Sequence, residues 1–511
     1  MAPSQEERPV VRMAGKIADL PRLFQGERGY RILSSWLGSQ RWFAGKSKKI
    51  ISGDFSDYFS LGVRENEVFF GGFLNLHYES GEGDSYFIPL SFSRKTSRTL
   101  FPLGTLEFDD GSGVLEDGLL IPEMGQTLLK IFFEKQDSAA LSVQQTSLFP
   151  TLARTSDLDI LPRVLSGEQS NTSLLFGRSL IMKCYRRPEK GGNCDFEMGA
   201  FFSSRNLSLP VAPLLGALCH SPESGGSIVI ALLSGFVENR GDAWSWLLKA
   251  IDPDKVVENF HSGQKSLLDK DVIRLVKKIG ASTGLMHRCL SEESFSPEMA
   301  PVPFLPEDWE LLGRSVLAMG RDVFPEGSSL PPSWWPDHLL GFEEASRAFW
   351  RQIPDFFSGP MDGDSADSWG GKIRCHGDYH LGQLLVTSDL DIVVIDFEGE
   401  PSVPISVRRE KRSPLSDVAG MVRSLDYLSK MIFPDFESRA VSKALFAELS
   451  LHFLDEYQQE MAGAGELPSG GAYSRLLKAC LLRKAFYELS YEINNRPDWC
   501  HVPLAGILEL L

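Results

Sequence analysis

The stretch CHGDYHLGQLLV (Cys375 to Val386) packs two histidines, an aspartate and a glutamine into eight residues, His376 to Gln383, and then runs into an apolar segment. Eighteen residues after Asp378, the apolar run LDIVVID ends in a second aspartate, Asp396. Turn residues TSD separate the two apolar runs, so a hairpin would bring both carboxylates to one edge. Such a set suits phosphoryl transfer. One carboxylate would position and accept the proton of an attacking hydroxyl, while another, with a neutral carbonyl oxygen, would hold Mg²⁺ against nucleotide phosphates. The competing chemistry is a metal site on His376 and His380. Gly377 and Gly382 oppose the helix that pairing would need, and no third His or Cys ligand lies nearby.

The spacing is that of the kinase loop H-R-D-x-x-x-x-N followed by D-F-G, with Arg, Asn and Gly replaced here. Glu398, at the glycine position, either supports the metal or caps the strand. His376 reads as a structural hydrogen-bonder, and His380 as a residue that orients the loop or is simply satisfied within it.

The elements around this core fall into two groups. Up to about Val237 the chain is β-rich, with strand patterns at SLLFG, SLIMKCY and SIVIALLSGFV, a hairpin around SGEG, and helical patches at TLLKIFFEKQ and DFEMGAFFSSR. Beyond ENRGDAW, long segments such as KDVIRLVKKIGASTGLMHRCL carry helical apolar spacing. The first twenty or so residues look loosely ordered. The expected divisions are a small α+β cap over 1–95, a nucleotide-binding lobe over 96–237 and a mainly helical lobe over 238–511. The lobes would join near residues 235 to 241, with ligands in the cleft between them.

A net charge of −16 argues against general affinity for nucleic acid or anionic membranes. No apolar run is long enough for a membrane helix, and no signal-peptide core is present. Seven cysteines without CxxC pairs fit reduced thiols. A cytoplasmic protein is expected.

The blocks HGDYHLGQLLV, DIVVIDFEGEP and KRSPLSDVAGMVRSLDY closely resemble bacterial maltokinases, relatives of the aminoglycoside phosphotransferases within the protein-kinase-like fold. WLGSQRWFAGKSKKI resembles that family's N-terminal cap, EQSNTSLLFGRSLIMKCYRR its nucleotide lobe and YELSYEINNRPDWCHVPLAGI its C-terminal helix. The resemblance spans nearly the whole chain. It implies a bilobal α+β fold, with ATP and Mg²⁺ as cofactors. It makes Asp378 the base, Asp396 and Gln383 the metal ligands, and Lys183 the contact to the α- and β-phosphates. Glu197 would partner Lys183, and Ser170, Asn171, Thr172 and Ser173 would cover the phosphates, though one glycine makes GEQSNTS a weak phosphate loop by itself.

On the acceptor side, the resemblance points to Asp378, His380, Asp417, Arg423, Tyr487 and Tyr491. Each has a plain alternative: Asp417 as a helix cap, Arg423 as the partner of a surface carboxylate, and the tyrosines as core. In the cap, QRWFAGK reads as packing on the neighbouring lobe.

The resemblance implies phosphorylation of maltose to maltose 1-phosphate, feeding α-glucan (glycogen-type) synthesis from trehalose, with trehalose synthase as a possible partner. Glucosamine or an aminoglycoside is the alternative acceptor. A catalytically silent scaffold is the reading from another class, and the presence of Asp378, Gln383, Asp396 and Lys183 opposes it.

Overall fold

In a computed structural model of the chain, the described residues are 10–511 without 65–66, 100–101, 136–137, 139, 166–169, 206–208, 223–224, 293–295, 328–330, 336–340, 359–368 and 401–402. The chain divides after Val237 into two compact units, and the short segment Leu209–Val211 belongs with the second.

The first unit is built on two sheets. In the first sheet the strand Glu67–Tyr78 pairs antiparallel with Ile50–Arg64 on one side and with Gly83–Phe87 and Leu90–Ser93 on the other. Its residues alternate between two cores. Phe69 and Phe73 face the core shared with the second sheet, whereas Phe70, Leu74, Leu76 and Tyr78 face the helix Glu27–Leu37. Burial on both faces explains why VFFGGFLNLHY is an almost continuous apolar run.

Two details differ from the sequence expectation. Val10–Arg12 is ordered as a strand, parallel to Gly104–Phe108, and Met13 and Leu20 are buried in the same unit. The sheet also continues past residue 95: Gly104–Phe108 pairs with Gly111–Asp117, which pairs with Leu90–Ser93. Both features depend on partners distant in sequence, so no local pattern announces them.

The second sheet is six-stranded and antiparallel throughout. At its centre Leu180–Tyr185 lies between Asn171–Phe176 and Ile228–Gly235. Met182 and Cys184 join the core shared with the first sheet, while Tyr185 packs toward the helix Cys194–Ser203. Asn193 starts that helix by accepting the Phe196 N–H at 2.8 Å, a side-chain N-cap.

The second unit is mainly helical. Lys270–Ser291 lies along Arg439–Glu460, and Gly280 and Gly284 stand where any side chain would collide with the Phe453 carbonyl or the Glu460 side chain. Leu415–Ile432 packs on Gly470–Asn495, which continues the core through His501–Leu510. The expected hairpin is present: Leu384–Val386 pairs with Ile392–Val394 in the register Leu384 to Val394. Among the described residues, no helix is long and apolar enough to cross a membrane.

Candidate active site

The loop before the hairpin is held from behind by a buried carboxylate. Asp417, in the first turn of Leu415–Ile432, accepts the backbone N–H of His376 at 2.7 Å and of Gly377 at 3.0 Å. Its third partner is His287 Nε2, at 3.2 Å, whose other nitrogen meets the Tyr457 hydroxyl at 3.1 Å. Burial alone would raise the Asp417 pKa. The hydrogen bond and charge of His287, with the Gly377 N–H, hold it below the ordinary value.

His376 carries the support forward. It is 1 % exposed, and its Nε2 lies 2.9 Å from the Ile395 carbonyl. That partner puts the proton on Nε2, so Nδ1 accepts the Asp378 N–H at 3.3 Å. Gly377 between them has φ +85°, which glycine adopts without steric cost. Tyr379 is buried with its hydroxyl 2.8 Å from Thr283, and burial pushes its pKa up. His380 accepts the Gly382 N–H on Nδ1 at 3.0 Å and caps the turn Leu381–Gln383; burial lowers its pKa. The loop is therefore preorganised by buried hydrogen bonds, and the Asp378 side chain projects from it half-buried.

The hairpin mouth brings the next two residues together. The Gln383 amide nitrogen donates to Asp396 Oδ2 at 3.2 Å, which leaves the amide oxygen for another partner. Asp396 itself has φ +68°, an unfavourable backbone state for a non-glycine residue. The neighbouring strand is pinned by Val394 N–H donating to the Pro210 carbonyl at 2.7 Å. A carboxylate and an amide oxygen are hard donors, the type Mg²⁺ takes.

Sequence reasoning missed the cation at this site. Lys484 Nζ lies 3.2 Å from Asp378 Oδ1 and 3.1 Å from Glu400 Oε1. Glu400 is 3 % exposed, and its second oxygen has no hydrogen-bond partner among the described residues. Desolvation alone would lower the Lys484 pKa, but Asp378 and Glu400 raise it, so the lysine stays charged. Its sequence signal is a pair of cations, Arg483 and Lys484, set in an apolar helical stretch, LLRKAF.

Several expected acceptor contacts are placed elsewhere. Asp417 holds loop backbone, as described, and does not stand free for a sugar. Arg423 is 4 % exposed, with Nε 2.9 Å from Glu488 and Nη1 2.6 Å from Asp426. It joins two helices rather than facing ligand, because a buried guanidinium requires paired carboxylates. Tyr487 does reach the site, with Lys484 Nζ 4.9 Å from its ring centre. Tyr491, one turn on, is 47 % exposed and stacks with Arg496. The Glu398 carbonyl oxygen accepts a hydrogen bond from Arg408 Nη1 at 2.8 Å.

In the first unit, Lys183 stands opposite Ser173 in the strand register, with Asn171 opposite Tyr185. Its ammonium lies 3.2 Å from Asp195 Oδ2, which also accepts the Tyr185 hydroxyl at 3.0 Å. Asp195 was not foreseen as a partner. It precedes Glu197 by two residues in the first turn of the same helix. Ser173 is buried, Thr172 accepts from Arg186, and Ser170 is in a bend; Gly167 to Gln169 lie outside the described residues.

No protein-family model matches the chain. A glucosamine kinase of Streptacidiphilus jiangxiensis is 24% identical over 357 residues, which covers 67% of this chain and 72% of that protein. A glucosamine kinase of Mycolicibacterium smegmatis is 30% identical over 138 residues, 27% of this chain and 34% of the relative. Among solved structures, a glucosamine kinase in complex with glucosamine, ADP and inorganic phosphate superposes with a TM-score of 0.61 at 18% identity, covering 90% of this chain and 94% of the other. A second crystal form of a glucosamine kinase gives 0.61 at 18%, covering 93% and 97%. The chain thus has the α+β protein-kinase-like fold of these structures.

Proposed function

We propose that the chain is an ATP-dependent sugar kinase whose acceptor is an amino sugar of the glucosamine type. The observation that carries this reading is the assembly of Asp378, Gln383 and Asp396 at one hairpin mouth, with Asp378 held from behind through His376 and Asp417. The relatives named above support glucosamine over the maltose that the sequence blocks suggested. A cytoplasmic location, where ATP is available, goes with the reading.

In this scheme the acceptor hydroxyl forms a bond to the γ-phosphorus of ATP as the bond to the β,γ-bridging oxygen breaks, releasing ADP. The hydroxyl proton passes to the Asp378 carboxylate. Lys183 offers its charge to the nucleotide phosphates, and Asn171 to Ser173 border them. Gln383 and Asp396 would hold Mg²⁺, which supplies charge neutralisation to the phosphates when bound. Lys484 keeps Asp378 oriented in the resting protein, and Tyr487 borders the acceptor.

Maltose remains the second reading, favoured by one feature. The Lys484 ammonium already lies on the Asp378 base and on Glu400, and a neutral acceptor meets no like charge there. Maltose 1-phosphate formation and a trehalose synthase partner belong to that reading. An ADP-release assay with glucosamine, maltose, glucose and kanamycin, with the phosphate position read by ³¹P NMR, separates the two. Turnover of glucosamine is expected. Turnover of maltose alone would overturn the acceptor, and no turnover with any sugar would overturn the kinase reading.

A further inference from the structure

The strand that carries Lys183 is clamped to the first sheet by the residue immediately after it. Along Leu180–Tyr185, Met182 and Cys184 point toward the core shared by the two sheets, and Arg186 continues that series. Arg186 is 1 % exposed. Its Nη2 donates to Asp117 Oδ2 at 2.6 Å, at the end of the first sheet, and its Nε donates to Thr172 Oγ1 at 2.9 Å. The guanidinium lies 4.8 Å from the centre of the Trp42 ring, and the Arg186 carbonyl accepts the Phe87 N–H at 2.9 Å. Arg187 extends the clamp with an ion pair to Asp84, which also accepts the Tyr78 hydroxyl at 2.8 Å and the Tyr86 hydroxyl at 3.3 Å.

This arrangement is poorly explained by stability alone. A buried ion pair is offset by its desolvation cost, and well-packed apolar replacements often fold as well or better. Arg186 Nη1 also has no hydrogen-bond partner among the described residues, so the pair is not even fully satisfied. What the pair does supply is geometry. Thr172 sits between Asn171 and Ser173, and Ser173 is the cross-strand neighbour of Lys183. One guanidinium thereby fixes both strands that border the phosphates to a single carboxylate and a single indole.

We infer that Arg186, boxed by Asp117 and Trp42, is a positioning residue for the nucleotide. The first sheet and its QRWFAGK turn act as a brace that sets the Lys183 ammonium and the Asn171–Ser173 backbone at the distance the phosphates require. The inference rests on the proposal that Lys183 takes nucleotide phosphates. The brace acts on the nucleotide and leaves acceptor binding alone, since Asp378, Lys484 and Tyr487 belong to the other unit.

The test compares Arg186→Met, Arg186→Lys and Trp42→Phe with the parent chain. Four quantities are read: KM for ATP, KM for the acceptor, Tm, and the rise in Tm on adding Mg²⁺-ATP. Arg186→Met is expected to raise KM for ATP about ten- to a hundredfold and to shrink the nucleotide-induced Tm rise, with the acceptor KM unchanged. Arg186→Lys should recover part of the loss, because it restores the charge opposite Asp117. If Arg186→Met fails to fold, Trp42→Phe carries the test and should raise KM for ATP selectively by a smaller factor. A folded variant with lowered Tm but parental KM for ATP would reduce Arg186 to a structural role and overturn the inference. Equal rises in both KM values would also overturn it. A parent chain without turnover or nucleotide-induced Tm rise would instead overturn the functional proposal.

Discussion

At the scale of single residues, Asp378 and Lys484 make separable predictions. Asp378→Asn keeps the shape of the loop and its backbone bonds but removes the proton acceptor. Turnover should fall about 10²- to 10⁴-fold while the Mg²⁺-ATP-induced Tm rise survives, measured by ADP release and by thermal melting. Retained turnover would exclude Asp378 as the base. Lys484→Met leaves Glu400, 3 % exposed, with only the more distant Arg483 Nη2 at 3.9 Å among the described residues. Removing one partner of a buried pair costs about 3 to 5 kcal/mol, read from urea denaturation. Adding Glu400→Gln should restore most of that stability without restoring turnover, because the neutral amide no longer needs the ammonium but Asp378 still lacks it.

The placement of Asp378, Gln383 and Asp396 was legible because it depends on short spacings along one loop and hairpin. Lys484 was not: it meets Asp378 from 106 positions away. Burial also reversed two readings. Asp417 and Arg423 look like free polar groups in SPLSDVAGMVRSLDY, yet one is used on loop backbone and the other on Glu488 and Asp426. A sequence shows the functional group and not its partner, so a buried, satisfied charge and an exposed, available one read alike.

At the scale of elements, the active loop is set by how closely a helix approaches it. Gly420, in Leu415–Ile432, stands where an added Cβ would lie 2.5 Å from the Tyr379 carbonyl oxygen. The same helix supplies Asp417 to the loop one turn earlier and Ser424 to the Leu381 N–H at 3.2 Å. Gly420→Ala must therefore push the loop away from the helix. A displacement of a few tenths of an ångström to about 1 Å should cost turnover about tenfold or more, while the far-ultraviolet circular dichroism stays parental. Parental turnover would mean the loop tolerates the shift. The helix periodicity was readable in the sequence, and so was the hairpin. That Gly420 marks a contact rather than a weak point in the helix was not, since it depends on which backbone faces it.

At the scale of the molecule, the first unit depends on apolar contact between its two sheets, and a buried histidine lies against it. His220, on the second sheet, is 2 % exposed and sits against Phe59 and Phe73 of the first, with ring centres 4.8 and 5.0 Å away. Its Nδ1 meets the Ala140 carbonyl at 2.9 Å, and Nε2 has no partner among the described residues. Desolvation pushes its pKa below the ordinary 6.5, against smaller raising effects from Ala140 and Asp57. The unfolded histidine then binds its proton more readily than the folded one. Stability is fully present above the unfolded value, declines as pH falls below it, and levels off only under the depressed folded value. Tm should therefore drop between pH 7.5 and 5.5, and His220→Phe should flatten part of that slope. An unchanged slope would mean that other groups set it.

The sequence by itself determined which residues gather at the hairpin mouth, the β-rich and helical halves of the chain, and the strand on which Lys183 sits. Each rests on local spacing: a period of two, a period near 3.6, or a fixed count between carboxylates. Tertiary structure alone decided which groups those residues meet. Val10–Arg12 found Gly104–Phe108, Arg186 found Asp117 and Trp42, Lys183 found Asp195, and Lys484 found Asp378 and Glu400. Such pairings are settled by the free energy of burying and compensating charge in a packed interior, a quantity defined only once distant segments are in contact.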